Sequence, residues 1–288
     1  MSDAIHIDDL SIAARDGYPL AATVFIPAGE PRGCVLINSA TAVPRKIYRG
    51  FAAYLAERGL AGLTFDYRGV GGSRPASLQG FPARMRDWAT LDAAGAIDHA
   101  RKAWPTLPIA VVGHSFGGQA VGLVPNNAEI ARALLVAAQA GFWRLFSSPE
   151  KYRVYALMRL IGPPITRAMD YVPSRLGLGM ELPKGVFLEW SDWIGRRRYF
   201  FDDPTLTALE NFPRYRGPLR AVGLADDPWA TPAAIDLLLS GFTGTQPEHR
   251  QVHPRDVGAH KIGHFGFFRP EHRETLWRDA AVWLGGAA

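Results

Sequence analysis

The chain has 288 residues, 48% of them hydrophobic, which is enough to bury the core of one α/β domain that carries an insertion. Its formal net charge of +5 comes from arginines spread along the sequence, and only Arg196-Arg197-Arg198 forms a basic run. Neither a zinc-type cysteine spacing nor an aromatic ribonucleoprotein motif accompanies that run, so the composition argues against nucleic-acid binding.

The cysteine content and the hydropathy predict a location inside the cell. Cys34, the one cysteine, lies in an apolar run and cannot form an intramolecular disulfide, which fits a reducing compartment. Residues 1–4 do not resemble the start of a secretory signal, and no apolar stretch has the length of a membrane span. We therefore expect a cytoplasmic protein without a membrane span. The sequence leaves the oligomeric state open, and a homodimer is compatible with it.

The hydrophobic pattern predicts two antiparallel strands at the start of the chain, over 5–14 and 20–27, with a turn at Arg15-Asp16-Gly17. After them, short apolar runs alternate with segments of helical period. The predicted strands of this part are 34–37, 60–65, 109–112, 133–138, 219–224 and a last one near 251–257, and the predicted helices include 48–58, 88–102 and 231–239. Strands buried on both faces that alternate with helices form a mostly parallel sheet with right-handed crossovers.

Residues 141–215 break this alternation. The segment is rich in aromatic residues, prolines and arginines, contains helical stretches at 152–160 and 186–195, and falls between two predicted strands. A segment of this length is too long for a plain connection, so we expect a helical cap inserted over the sheet. The predicted division is a core domain, residues 1–140 and 216–288, and a cap segment, residues 141–215. Its many aromatics favour an apolar or aromatic substrate group, although some of them must pack the cap onto the sheet.

The motif Gly113-His114-Ser115-Phe116-Gly117 is the strongest functional signal in the sequence. It directly follows the predicted strand 109–112 and precedes small and apolar residues that can begin a helix. This is G-x-S-x-G in the strand–turn–helix context in which a nucleophilic serine occupies a tight, strained turn. We therefore predict Ser115 as a nucleophile, and we expect His114 to pack locally within the turn.

Three segments together resemble the α/β-hydrolase superfamily, and within it the serine aminopeptidase-like or lysophospholipase-like group of hydrolases. They are residues 113–118, Phe65-Asp66-Tyr67-Arg68-Gly69-Val70-Gly71-Gly72-Ser73, and Gly263-His264-Phe265-Gly266. The resemblance extends over essentially the whole chain. It implies an α/β-hydrolase fold, with a mostly parallel eight-stranded sheet flanked by helices and an inserted helical cap. It also implies a Ser-His-Asp triad, but no particular substrate.

A serine nucleophile needs a histidine that accepts its proton, and in this fold the chain order is serine, acid, histidine. His264 follows a glycine in an apolar stretch that we expect to form a flexible loop, so it is the favoured base. His260, in the same loop, is the main alternative. The remaining histidines after Ser115 are assigned to the last strand or to a surface helix: His249, His253 and His272.

The acid is expected just after the predicted strand 219–224, where Asp226-Asp227-Pro228 follows. The superfamily's G-x-x-D pattern matches Gly223 to Asp226 and favours Asp226. Asp227 directly precedes a proline, another frequent setting for this acid, and stays as the alternative. The aspartate that does not serve as the acid is expected to cap the loop or accept backbone hydrogen bonds.

Acyl transfer also needs backbone N–H groups that stabilise the developing oxyanion. One donor is expected at Phe116, the residue after the nucleophile, and the second in the loop after the third strand. Ala40 is favoured there, with Thr41 as the alternative. Asp66 and Arg68 match the superfamily's D-x-R-G segment and are expected to brace their loop without taking part in the chemistry.

Together these features predict a hydrolase that cleaves a carboxylic ester, thioester or amide through a Ser-His-Asp triad and an acyl-enzyme. An esterase acting on an apolar acyl or aromatic small molecule is favoured. Two alternatives are an acyltransferase that uses the same triad and a catalytically silent ligand-binding protein. The sequence carries neither a metal-ligand cluster nor a convincing nucleotide-binding motif, so we expect no cofactor and no metal.

Overall fold

The computed structural model describes residues 4–286. Its strands are β1 (His6–Ala13), β2 (Pro19–Ile26), β3 (Cys34–Asn38), β4 (Ala61–Phe65), β5 (Ile109–His114), β6 (Ile130–Val136), β7 (Tyr171–Val172), β8 (Leu182–Pro183), β9 (Leu219–Leu224) and β10 (Glu248–Val252). The α-helices are α1 (Arg49–Ala56), α2 (Met85–Asp87), α3 (Ala94–Ala103), α4 (Phe116–Leu123), α5 (Glu150–Tyr155), α6 (Gly162–Met169), α7 (Lys184–Gly195), α8 (Pro232–Leu239), α9 (Gly263–Gly266) and α10 (Arg278–Leu284). Wider π-type turns join α2 to α3 and α5 to α6.

The central sheet has eight strands in the order β1-β2-β4-β3-β5-β6-β9-β10. β2 pairs antiparallel with both β1 and β4, and the other pairings within the sheet are parallel. The expected mostly parallel, eight-stranded sheet is therefore confirmed. In the β3–β5 pairing, Asn38 lies opposite Gly113, so the loops that follow these two strands begin side by side at one edge of the sheet. This register brings the expected oxyanion loop next to the expected nucleophile.

The last strand differs from its predicted position. It spans Glu248–Val252, and residues 254–257 form a single 3₁₀ turn in place of the predicted strand end. β10 is an edge strand that pairs only with β9, and its side chains are exposed or half-buried. Such a strand shows no continuous apolar run in the sequence, because only one of its faces is covered. His249 lies in this strand as expected, whereas His253 follows it.

The cap segment contains α5, α6 and α7 together with the short antiparallel pair of β7 and β8. Several of its aromatic side chains are fully buried, including Phe187, Trp193 and Phe200. Part of the aromatic content of the segment therefore serves to pack its interior. Within residues 4–286, none of the helices combines the length and the hydrophobicity that crossing a bilayer requires.

Buried ion pairs hold the segment that follows β4. The Asp66 carboxylate accepts hydrogen bonds from the Arg45 backbone N–H and from its guanidinium, each at 2.6 Å. Arg68 donates from Nε to Asp92 at 2.7 Å and from its terminal nitrogens to Asp16 at 2.7 and 2.8 Å. Asp66 and Arg68 thus have the bracing contacts expected of them.

Arg68→Met is expected to destabilise the fold by roughly 3–5 kcal/mol, because it leaves the fully buried Asp92 carboxylate without its cation. The matched control is Arg15→Met, which breaks the more exposed pair with Asp98 and should cost about 0–1 kcal/mol. Urea denaturation of both variants at pH 7 measures the difference. Equal losses would contradict the buried-pair explanation.

The cost of Arg68→Met should also depend on pH. Burial raises the pKa of Asp92 to about 6, against the pKa-lowering effect of Arg68. Without Arg68 the pKa of Asp92 rises further, so the variant takes up a proton on folding. A folded-state pKa above the unfolded value means that protonation stabilises the fold, and the variant's deficit should shrink as the pH falls from 7 toward 5.

Candidate active site

Ser115 occupies the turn between β5 and α4 with φ +52° and ψ −116°. This left-handed region is costly for a residue other than glycine and persists only where the surroundings enforce it. The Ser115 N–H donates to the Val136 carbonyl at 3.0 Å, which ties the turn to the end of β6. The strained turn places a half-buried serine at the carboxyl edge of the sheet, as the nucleophile motif predicts.

The two glycines of the motif are required by close contacts. A Cβ atom on Gly113 would lie 2.4 Å from the Cα of Gly118, and a Cβ on Gly117 would lie 2.2 Å from the Asn38 carbonyl oxygen. Both contacts are to backbone, which cannot move aside as a flexible side chain can. The G-x-S-x-G spacing is therefore the steric condition for packing α4 against β5 and the end of β3 around Ser115.

His264 lies in the short helix α9, not in the flexible loop that the sequence suggested, and it is buried. Its Nδ1 donates a hydrogen bond to Asp227 Oδ2 at 2.6 Å, which leaves Nε2 as the ring nitrogen available to take up a proton. The Trp229 ring packs against the imidazole at a centroid distance of 4.8 Å. His260, the alternative base, is exposed.

The two aspartates divide their roles in the reverse of the favoured assignment. Asp226 accepts hydrogen bonds from the backbone N–H groups of Ile262 and Gly263, at 2.8 and 2.9 Å, and so anchors the start of α9. Asp227 is the one that contacts His264, and its other oxygen accepts from the Trp229 N–H at 2.9 Å. The structure therefore brings Asp227 to His264, whereas Asp226, the favoured candidate, contacts backbone groups.

The loop after β3 also differs from the favoured assignment. The Ala40 N–H donates to the Tyr48 hydroxyl at 2.9 Å, so it is already occupied. Thr41, the next residue, lines the same cavity as Ser115, and its N–H has no acceptor within residues 4–286. The Phe116 N–H, directly after Ser115 in the chain, is the first of α4 and has no intrahelical acceptor. The N–H groups of Thr41 and Phe116 thus have no hydrogen-bond acceptor within residues 4–286.

A buried hydrogen-bond chain that sequence reasoning missed connects this loop to His264. Tyr48 Oη lies 2.8 Å from His114 Nδ1, and His114 Nε2 lies 2.9 Å from the His264 carbonyl oxygen. Burial lowers the pKa of His114 well below its usual range, so the ring is neutral. Because a carbonyl can only accept, Nε2 carries the proton and Nδ1 accepts from Tyr48. The chain therefore runs from Ala40 N–H through Tyr48 and His114 to the backbone of His264.

Tyr48→Phe is expected to lower the free energy of unfolding by about 1–3 kcal/mol, because it strands the Ala40 N–H and the His114 Nδ1 in the core. Activity should fall as well, because Ala40 belongs to the loop after β3 and His114 holds the backbone of His264. The matched control is Tyr54→Phe: the Tyr54 hydroxyl is also buried but has no partner within the described chain. Its loss should be neutral or slightly stabilising in urea denaturation. A large loss for Tyr54→Phe would contradict the argument.

Ser115 and His264 line one cavity of about 220 Å³. Its walls are mainly apolar, and three cap aromatics contribute to them: Phe146, Trp190 and Tyr199. The Ser115 Oγ makes no hydrogen bond with another group of residues 4–286 in this conformation. Catalytic hydrogen bonds are often long in ligand-free structures and shorten when substrate binds. The cavity thus brings together a strained serine, a histidine with a carboxylate behind it, and Thr41 of the loop after β3.

Comparisons with known proteins identify similar sequences. The family model described as serine aminopeptidase, S33, matches residues 29–171. A monoacylglycerol lipase from Mycolicibacterium smegmatis is 33% identical over 110 residues, which are 38% of this chain and 38% of that protein. The matched region therefore spans well under half the length of this relative.

Solved structures match the fold over almost the whole chain. Est1E from Butyrivibrio proteoclasticus, solved with ferulic acid bound, superposes with a TM-score of 0.63 at 18% identity and covers 95% of this chain and 97% of its own. A thermostable carboxyl esterase from Bacillus coagulans gives a TM-score of 0.60 at 14% identity, covering 97% and 98%. DcsB in complex with a substrate analogue gives 0.67 at 12% identity, covering 97% and 99%. At these identities the likeness shows the fold alone.

Proposed function

We propose that the chain is a serine esterase of the α/β-hydrolase superfamily that works through Ser115, His264 and Asp227. The observation that carries the proposal is the 2.6 Å hydrogen bond between buried His264 and Asp227, in a cavity whose wall includes a strained serine. A buried histidine that lines a cavity together with a serine and is held by a carboxylate is the arrangement of a catalytic base.

In the first step, the Ser115 Oγ attacks the carbonyl carbon of the ester while His264 Nε2 takes the serine proton. Asp227 holds Nδ1–H and stabilises the positive charge that develops on the ring. Asp226 contributes indirectly by anchoring the backbone that carries His264. The negative charge on the carbonyl oxygen is stabilised by the N–H groups of Phe116 and Thr41, which are proposed as the oxyanion hole.

The tetrahedral intermediate then collapses. His264 gives its proton to the leaving alcohol, and the acyl group stays on Ser115 as an ester. In the second half of the reaction His264 removes a proton from a water molecule, which attacks the acyl-enzyme, and the acid is released with Ser115 restored. Every step uses groups of this chain and water alone.

An ester is favoured over an amide by the relatives. The matched relative from Mycolicibacterium smegmatis is a monoacylglycerol lipase, and monoacylglycerols are esters. The mainly apolar walls of the cavity suit an apolar acyl or aromatic group. The cap segment, residues 141–215, is proposed to act as the lid that supplies part of these walls. A homodimer and a cytoplasmic location stay predictions from the sequence.

The proposal is tested with a fluorophosphonate probe and a substrate panel. The probe should label the protein stoichiometrically, and mass spectrometry should locate the adduct on Ser115. p-Nitrophenyl esters of graded acyl length, compared with aminoacyl anilides, should show turnover of the esters at a rate that does not need an added alcohol acceptor. An adduct elsewhere in the chain, or turnover confined to the anilides, would refute the assignment.

A further inference from the structure

The mainly apolar cavity contains an unexpected set of polar side chains. Gln119, Gln139 and Tyr199 all line it, and their exposed fractions are 3%, 6% and 0%. Within residues 4–286, Gln119 Oε1, Gln139 Oε1 and Tyr199 Oη have no hydrogen-bond partner. Buried polar atoms are almost always paired, so three unpaired atoms on residues that line one cavity require an explanation.

Three separate parts of the fold bring these side chains together. Gln119 lies on α4, one helical turn after Ser115, Gln139 follows β6, and Tyr199 belongs to the cap segment. The Gln119 Nε2 donates to the Gln139 backbone carbonyl at 2.7 Å, which fixes the first amide in place. The first polar group therefore stands on the same helix as the proposed nucleophile and is held rigidly.

Tyr199 is held in place as firmly. Its φ of +57° is a strained value for a non-glycine residue, and its ring packs closely against Gly141, where an added Cβ would lie 3.1 Å from Cε2. Burial raises the pKa of its hydroxyl, and the nearby Gln119 and Trp190 side chains oppose that rise. They lie close to the hydroxyl, yet neither meets hydrogen-bond geometry. The fold thus holds a neutral hydroxyl close to Gln119 on a residue with a strained backbone conformation.

The chemistry of these atoms selects what they can bind. Two amide oxygens accept hydrogen bonds, and a phenol both donates and accepts. A ligand hydroxyl can donate to one amide oxygen and accept from the phenol, so it pairs two of these atoms, whereas a hydrocarbon chain would leave all three unpaired. The cavity of about 220 Å³ exceeds the roughly 150 Å³ that accommodates benzene, so it admits a ring or a medium-length chain that bears a hydroxyl.

We propose that Gln119, Gln139 and Tyr199 form a hydroxyl-binding subsite, and that the preferred substrates are esters whose acyl group is ring-sized or of medium length and carries a hydroxyl away from the carbonyl. This inference rests on the proposed esterase function. Sites built to bind a hydroxyl reject analogues that lack it, because their own polar groups are then left unpaired.

The test uses pairs of esters that differ by one hydroxyl. The p-nitrophenyl esters of 3-(4-hydroxyphenyl)propanoate and 3-phenylpropanoate form one pair, and those of 6-hydroxyheptanoate and heptanoate form the other. The wild type should prefer the hydroxylated member of at least one pair by about tenfold to a hundredfold in kcat/KM. Tyr199→Phe, which removes only the hydroxyl, should reduce this preference at least fivefold, and Gln119→Leu should reduce it further.

Tyr54→Phe is the matched control, because it also removes a buried hydroxyl without a partner in the described chain but lies on α1, outside the cavity. It should leave the preference unchanged. Equal turnover of both members of each pair by a wild type that reacts with the fluorophosphonate probe would overturn the subsite and leave the esterase intact. No labelling and no turnover of any ester would instead overturn the proposed function itself. A preference that survives both Tyr199→Phe and Gln119→Leu would also overturn the subsite.

Discussion

Ser115→Ala is expected to lower kcat for ester hydrolysis by about 10⁴–10⁶-fold, because no other group can form the acyl-enzyme and only the oxyanion donors and binding remain. His264→Ala should cause a loss of similar size. The double variant should be hardly worse than either single one, since serine and histidine act as a unit and removing one disables the other. Initial rates on a p-nitrophenyl ester, with KM determined for each variant, measure these effects.

The control for these variants is His260→Ala, which removes the exposed histidine that precedes α9 and should leave kcat within about twofold of the wild type. Urea denaturation should show that the Ser115→Ala protein is folded. Losses that multiply in the double variant would indicate independent contributions and count against a shared mechanism. A Ser115→Ala protein that retains near wild-type kcat would eliminate the covalent route.

The sheet could be predicted because its central strands are buried on both faces. β3, β4, β5 and β9 are entirely buried and appear in the sequence as continuous apolar runs. β10 lacks this signal because it lies at the edge, and its side chains alternate between exposed and half-buried positions. The prediction was therefore accurate for these fully buried strands and displaced for β10.

The residue types of the candidate site could be predicted, but the choice between neighbours could not. Asp226 and Asp227 are adjacent, and which of them faces His264 depends on where α9 lies, 37 residues further along the chain. Ala40 and Thr41 are likewise adjacent, and what distinguishes them is a bond from Ala40 to the Tyr48 hydroxyl. Local sequence patterns do not encode contacts that depend on tertiary packing.

The chain's polar cavity residues and its buried histidine were harder still to predict. Gln119 and Tyr199 are 80 positions apart in sequence, and nothing in either local pattern marks a cavity wall. His114 has a visible signal, its place inside the nucleophile motif, but its function depends on Tyr48 and on the His264 carbonyl. The sequence offers one sign of the polar cavity residues. Gln119 is a polar residue on the buried helix α4, where a small apolar residue would pack more easily.

The different contacts of Asp226 and Asp227 predict a second large loss of activity. Asp227→Asn should lower kcat by about 10⁴-fold with little change in KM. The amide can place an N–H donor opposite His264 Nδ1, which favours the tautomer with its proton on Nε2, and this nitrogen can then no longer accept the serine proton. The asparagine still accepts the Trp229 N–H, so the fold should be nearly as stable as the wild type.

Asp226→Asn should behave in the opposite way. Its carboxylate accepts two backbone N–H bonds at the start of α9, and an amide oxygen can keep only one of them, so stability should fall by about 1–3 kcal/mol. The activity of the folded fraction should fall far less than in Asp227→Asn, because His264 keeps its carboxylate. Kinetics and urea denaturation of both variants therefore separate the acid that orients the histidine from the acid that anchors its backbone. A greater loss of kcat in Asp226→Asn would return the catalytic assignment to Asp226.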